Sequence, residues 1–297
     1  MQNRRAVWII VVIVVLLLMC CCAVTVAGVG VGLGLFPWRW QTGFDFDFSD
    51  LTSPGVEATA TMREQFTVEG TPLLDVDCPV CDVEISARPG AAVEIKATAH
   101  AWAGDQAAAE RSLERIDVSL TRQGERILIE VDMPQLQEWT GDWQERRARV
   151  DLEITVPVRA DLRLQLDVGD MEISGIEGRV DIQADVGQVV LKDVVARQSL
   201  KVRTDVARIR FEGPISEGVL YDMRSAVGDI ALTLPAGSSF EMDAESNVGA
   251  VTCDFDVRGT QERKQVVGGR IQGTVGQSPT AEVRLQSEVG SIRINED

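Results

Sequence analysis

The chain has 297 residues, with 46 acidic side chains against 29 Lys and Arg, a net charge of −17 and a pI near 4.5. That balance argues against nucleic acid as a partner, because phosphates need a basic face. His100 is the only histidine, so a histidine-based triad or a multi-histidine metal site is excluded within one chain.

Residues 1–6 form a short tail carrying Arg4 and Arg5. Val7–Phe36 is uncharged and almost wholly apolar, long enough to cross a bilayer, which takes ~20 residues. The two arginines before it predict a cytoplasmic N-terminus and an extracytoplasmic C-terminal domain. A single-pass cell-membrane protein is therefore expected, with 7–36 as transmembrane helix and interface exit. A cleaved signal peptide ending near Thr25-Val26-Ala27 is the rival, but the apolar stretch exceeds the ~7–15 residues of a signal core. Cys20, Cys21 and Cys22 fall inside this stretch as small hydrophobes. Residues 37–65 read as a juxtamembrane linker, with Phe44-Asp45-Phe46-Asp47-Phe48 followed by Ser, Thr, Pro and Gly in no sustained pattern.

From Phe66 the pattern becomes that of a folded domain, 66–297, long enough to bury a substantial core. Leu74 and Val76, Val83 and Ile85, Val93 and Ile95 alternate as strands do. Gln106–Ile116 reads as the one soluble helix, with Asp105 as its N-cap. Val118–Leu120, Ile127–Val131 and Val150–Val156 are strand-like, and 132–149 is a long polar excursion containing Trp139 and Trp143. These two tryptophans are candidates for a sugar- or protein-binding surface, or equally for a cap over an open sheet end.

The second half repeats one phrase: Asp-Val-Gly-Asp-Met-Glu-Ile at 167–173, then related phrases at 185–191, 205–211, 226–232, 247–253 and 288–294. The valines at 168, 186, 206, 227, 248 and 289 step by about twenty residues, the last step being about two periods. Such a period marks a solenoid, in which each unit buries its apolar face against its neighbours. Before each Val-Gly, alternation predicts one inward face, as in Leu162, Leu164, Leu166 and Val168, with Arg163, Asp181, Lys201 and Arg284 on the other face of their strands. After it the apolar phase moves by one, so the chain must turn there. Gly169, Gly187, Gly228, Gly249 and Gly290 are the predicted corner turns, suited to a positive φ or a crowded corner, with Ala207 the one departure. The inward column after the corner is Met171/Ile173, Val189/Leu191, Ile209/Phe211, Ile230/Leu232, Val251/Cys253 and Ile292/Ile294. Val80-Cys81-Asp82-Val83-Glu84-Ile85 carries the phrase with Cys for Gly, as a first rung before the array. The expected fold is all-β, a parallel β-helix-like solenoid with one short helix; an antiparallel β-sandwich is the alternative.

Stacking would bring Asp167, Asp185 and Asp205 together, with Asn247 and Glu288 later in the same column. Such a ladder suits either a hard cation or hydrogen bonds to turn backbone; the second is the commoner use, and no metal ligand is assigned. Cys78-Pro79-Val80-Cys81 allows a local disulfide on the exported side. Thiol exchange would need the helix that usually presents such a motif, and one CxxC is too little for structural zinc. His100 is expected at a strand end on the surface.

The entry strand, the helix-bearing excursion, the Val156-Pro157-Val158 strand end and the corners Gly169-Asp170-Met171 and Gly228-Asp229-Ile230 resemble the bacterial putative-adhesin domain. That is a domain of unknown function similar to auto-transporter adhesin heads. The resemblance covers roughly Phe66–Ile294. It implies an extracytoplasmic β-helix-like domain, often membrane-tethered, and carries over neither catalytic residues nor a cofactor. The expected function is non-enzymatic: adhesin-like binding or envelope architecture, with an envelope polysaccharide or protein as partner. The alternative is a carbohydrate-active β-helix enzyme using a carboxylate pair.

Overall fold

The repeat phrases at 167–173, 226–232, 247–253 and 288–294 fold as two short strands meeting at a bend, those at 185–191 and 205–211 run through the corner within single long strands, and the corners lie one above another. This is seen in a computed structural model that describes residues 55–133, 147–264 and 268–297, all within the unit Pro54–Asp297. The first half holds β1 (Val56–Thr67), β2 (Leu73–Arg88), β3 (Ala92–Ala103), α1 (Gln106–Leu113), β4 (Asp117–Gln123), β5 (Arg126–Asp132) and β6 (Arg147–Pro157). The repeats follow as β7 (Asp161–Val168), β8 (Met171–Ser174), β9 (Glu177–Lys192), β10 (Val195–Glu212), β11 (Leu220–Val227) and β12 (Ile230–Leu234). The chain ends with β13 (Phe240–Val248), β14 (Val251–Cys253), β15 (Val257–Lys264), β16 (Gly269–Val275), β17 (Ala281–Val289) and β18 (Ile292–Glu296). Among the described residues β1 already starts at Val56, within the stretch read as linker, and pairs along its length with β3. Val7–Phe36, Trp139 and Trp143 lie outside the described residues.

Successive units pair in parallel, which the antiparallel sandwich would not do. On one side of the bend β2, β7, β9, β10, β11, β17 and β13 are neighbours in that order. On the other side β2, β8, β9, β10, β12, β18 and β14 follow in the same order. Two departures from chain order stand out. The last unit, β17–β18, is inserted between β11–β12 and β13–β14, and β2 lies inside a rung made of β5 and β6, so it is not the first. The extra period before the last repeat is taken up by β15 and β16, which cover β13 antiparallel. At the opposite end β4 covers β5, and β3 and β1 cover β6. Hairpin strands thereby close the stack at the β5–β6 end and cover β13 at the other, where the short β14 pairs with β18.

The core follows the predicted columns. Met171, Ile173, Val189, Leu191, Ile209, Phe211, Ile230, Leu232, Ile292 and Ile294 are all buried, while Val251 and Cys253 in the terminal rung are half-buried. Each full burial contributes roughly 1.5–3 kcal/mol. Asp105 caps α1, accepting from the Ala108 amide at 2.8 Å, and Ala108 and Ala109 set the helix against Ala58 and Ala103. Small residues on both sides allow that close approach.

The insertion of the last unit is reflected in the outward charges. Asp75, Arg163, Asp181, Lys201, Asp222, Arg284 and Asp243 face one another in register across successive strands. Their signs alternate without exception. Stacking in chain order would set Asp222 beside Asp243, and like charges directly opposite are destabilising. Both carboxylates raise the Arg284 guanidinium's proton affinity, after the larger effect of Glu282.

The corner glycines adopt φ between +144° and +154°. A Cβ added at any of the five would lie 1.7–2.1 Å from a carbonyl oxygen of the adjacent corner. Ala207 has no positive φ; among the described non-glycine residues only Asp193 and Ser278 do. Gly187→Ala or Gly228→Ala should therefore lower stability by about 3 kcal/mol or more, adding overlap to backbone strain, whereas Ala207→Gly should cost about 1 kcal/mol or less. Urea midpoints of the three variants test this. A separate comparison tests the charge ladder: Arg284→Asp, which sets three carboxylates in a row, should cost roughly 1–2 kcal/mol, and Arg284→Gln about half as much.

Candidate functional site

The bend places the most regular residue of the repeat on the outside. Val168, Val186, Val206, Val227, Val248 and Val289 are 43–48% exposed, which corrects the expectation that Val168 continues the inward face of Leu162, Leu164 and Leu166. The pleat carries those leucines inward, but at the vertex the chain must turn, and the side chain there is left on the convex side. The register Val80–Val168–Val186–Val206–Val227–Val289–Val248 is unbroken, so the valines form a continuous apolar ridge along the edge of the stack.

Polar groups secure the bend from both sides. Corner amides donate to the neighbouring rung: Gly169 to Val186 O, Gly228 to Val289 O and Gly290 to Val248 O, at 2.9–3.0 Å. In the later rungs a buried serine donates back to the preceding corner carbonyl, Ser225 to Ala207 at 3.1 Å, Ser287 to Gly228 at 3.0 Å and Ser246 to Gly290 at 2.7 Å. In the earlier rungs the same column is apolar, with Cys78, Leu166 and Ala184. Just beyond the bend, Asp82, Asp170 and Asp229 each accept the amide of the next rung, from Asp170, Gln188 and Ser291 respectively. The bond from Ser291 holds the Asp229 carboxyl below its ordinary range, assisted by Arg293.

On the near side of the ridge Asp167, Asp185 and Asp205 stack between paired positions, Leu166 opposite Ala184 and Val168 opposite Val186. Glu288 and Asn247 belong to this column in exchanged order, because their rungs are exchanged. Burial pushes the Asp185 carboxyl up, with repulsion from Asp205 and Asp167 adding to it. Among the described residues no group of three or more His, Cys, Asp or Glu is placed to hold a metal ion.

Cys78 and Cys81 are joined by a disulfide across the first corner, with Cα atoms 6.0 Å apart. Cys253 is a free thiol, pushed up by burial first and by Asp254 second, which favours the unreactive form. His100 corrects its expected strand-end position. It lies within β3, its side chain 16% exposed, with Nδ1 2.7 Å from Glu57 and Nε2 3.2 Å from Asp151, and its ring stacks on Trp102. Arg149 binds Asp151 and Asp82 at 3.0 and 3.1 Å and lies over Trp102. Nothing in the local sequence announces this group, because β1, β3 and β6, which bring it together, are far apart in the chain.

The surface depressions are lined by charged side chains. One holds Asp82, Glu84, Asp151, Glu153, Asp170 and Glu172, but Lys96 binds Glu153 and Lys192 binds Glu172, both at 2.6 Å. Another, with Asp222, Arg224, Asp243 and Arg284, is also charge-paired: Arg224 binds Asp222 at 2.8 Å, Arg270 binds Asp243 at 2.6 Å and Arg284 binds Glu282 at 2.6 Å. Among the described residues no helix is long and apolar enough to cross a membrane.

Residues 74–297 match the Toastrack DUF4097 family model. A solved structure of a putative cell adhesion protein from Clostridium sporogenes is 16% identical; the similarity covers 80% of this chain and 100% of that one, with a TM-score of 0.47. A putative adhesin from Bacteroides fragilis is 15% identical over 79% of this chain and 97% of that one, with a TM-score of 0.40. No curated protein matches the chain.

The raised Asp185 carboxyl makes a signed prediction. A carboxyl whose proton affinity rises on folding favours the fold below its unfolded titration range and opposes it as pH rises through the folded one. Asp185→Asn should therefore raise the urea midpoint at neutral pH, and the gain should vanish below about pH 4.

Proposed function

The chain belongs to the Toastrack DUF4097 family, and on that premise we propose that it is a membrane-anchored binding domain of the cell envelope rather than a catalyst. The observation that carries this reading is the stack itself. Parallel rungs with bends in register generate long, regular, solvent-facing edges and faces, the surfaces that solenoids use for interaction. The finer fold assignment, a parallel β-helix-like solenoid, belongs to the same proposal and rests on the parallel pairing of successive units. Four of the six carboxylates lining the acidic depression, Asp82, Asp151, Glu153 and Glu172, are tied to Arg149, Lys96 and Lys192. That favours a static surface over the enzyme alternative, in which one carboxyl must protonate a leaving group.

Anchorage rests on Val7–Phe36 and the arginines before it. The domain 66–297, extended by β1, would then stand outside the cell membrane, tethered through the linker, with the N-terminus cytoplasmic. Its partner would be an envelope polysaccharide or a protein, and the net charge of −17 opposes nucleic acid.

Two measurements test the proposal. In intact cells, external protease should remove the folded domain while the N-terminal tail stays with carbonate-washed membranes; a soluble mature form beginning near Gly28 would overturn the anchor. The full-length chain, screened against envelope polysaccharides and envelope protein extracts, should bind without turnover. Glycan cleavage abolished by one acidic substitution would establish the enzyme instead.

A further inference from the structure

We propose that the valine ridge docks a basic amphipathic α-helix of a partner protein. This rests on the reading of the chain as a binding domain and specifies which surface binds and what it takes.

The ridge is a continuous exposed apolar strip. Scattered surface hydrophobics need no explanation, but the largest contiguous apolar patch of a monomer, roughly 300–600 Å², is often functional. Here six valines, each 43–48% exposed, stand in unbroken cross-rung register. Core packing does not require them, since the inward columns are already filled by the residues on either side of the bend. Cross-strand contact between neighbouring valines stabilises the stack, yet threonine would supply that contact with a wettable surface.

Charge selects the partner. One flank carries Asp167, Asp185, Asp205 and Glu288; on the other, Asp82 and Asp229 are already bound by Arg149 and Arg293, and Gln188 and Arg208 stand between Asp170 and Asp229. A second copy would bring the same carboxylates against these, and a phosphate-bearing surface would be repelled. Burial pushes the Asp185 carboxyl up and repulsion from Asp205 and Asp167 adds to it, and a cation beside these three carboxylates relieves the repulsion. The fitting partner has apolar side chains in a row with Lys or Arg on the side that meets Asp167, Asp185, Asp205 and Glu288.

Spacing selects the secondary structure. The valines repeat at the strand separation, ~4.8 Å. A helix lying along the ridge presents one apolar residue per ~5.4 Å turn, slipping ~0.6 Å per rung, so about four turns stay within half a rung. An extended strand presents same-face residues every ~6.8 Å and loses register after one step. Asp45 and Asp47 in this chain's own Phe44–Phe48 segment carry the wrong sign for the site.

The test uses the full-length chain in nanodiscs of zwitterionic lipid and synthetic helical peptides of about 18 residues, roughly five turns. The first has leucines spaced three and four apart and lysines flanking them. A second replaces lysine by glutamate, and a third scrambles the leucines. Fluorescence anisotropy should show salt-sensitive binding of the first peptide alone. Val186→Ser/Val206→Ser and, independently, Val227→Ser/Val289→Ser should each weaken it about tenfold or more, equivalent to ~1.4 kcal/mol, with urea midpoints little changed. Asp185→Asn/Asp205→Asn should flatten the salt dependence. Failure of the basic peptide to bind, or equal binding to the serine variants or of the scrambled peptide, overturns the ridge proposal. Envelope ligands still retained by the serine variants would leave the binding-domain reading intact, whereas glycan turnover would remove that reading itself.

Discussion

Everything in this fold depends on how closely the backbone of one rung approaches the next at the bend. The Cα of each corner glycine lies against the carbonyl of the neighbouring corner, in space that a Cβ would fill at 1.7–2.1 Å from the oxygen. Contacts of this kind, a polarised C–H facing a carbonyl, recur between adjacent strands. Here they hold the vertices in a line. With the vertices aligned, amides and carbonyls on both sides pair without slipping, and the two inward columns close over a common core. Ala207 fits because its corner sits beside Gly187 in paired register and does not need the left-handed backbone.

A second constraint decides the order of the rungs. Adding β17–β18 inside β13–β14 costs the chain a long excursion and non-local pairing, which slows folding. Two independent columns agree with that order. The outward charges alternate only if Arg284 separates Asp222 from Asp243. The serines hand on their hydrogen bonds only in the same sequence, Ser287 to Gly228 and Ser246 to Gly290. Consistency of surface charge, buried polar bonding and corner geometry is what separates one native order from its alternatives. The same device recurs at the other end, where β2 is held between β7–β8 and the outer β5–β6 rung.

The domain therefore offers chemically distinct surfaces. Its broad faces carry mixed charges that are largely paired with one another, as at Arg149, Asp82 and Asp151, and they interact with water at little cost. The bend edge is different: an apolar line beside the acidic column Asp167, Asp185, Asp205 and Glu288. In a monomer that combination is exposed to solvent because geometry leaves the vertex side chain nowhere inward to go.

Much of the core was legible in the sequence because burial in a strand has a period of two and each repeat restates it. Leu162, Leu164 and Leu166, the shift of phase after the glycine, the inward pairs Ile209/Phe211 and Ile230/Leu232, the Asp105 cap and the disulfide-capable Cys78 and Cys81 are all local signals, written within a few residues of where they act. The exposure of the valines was not legible, since alternation assigns Val168 to the inside and only the bend turns it out. Nor were the place of β17–β18, the pairing of β1 from Val56, or the meeting of Glu57, His100 and Asp151. Those depend on which strand lies beside which. By itself the sequence determined that the chain repeats, where each unit bends and which side chains fill its interior, because these follow from periodicity and from glycine. The tertiary structure alone decided the order of the rungs and the line of valines on the outside, because those arise from contacts between residues that the chain keeps far apart.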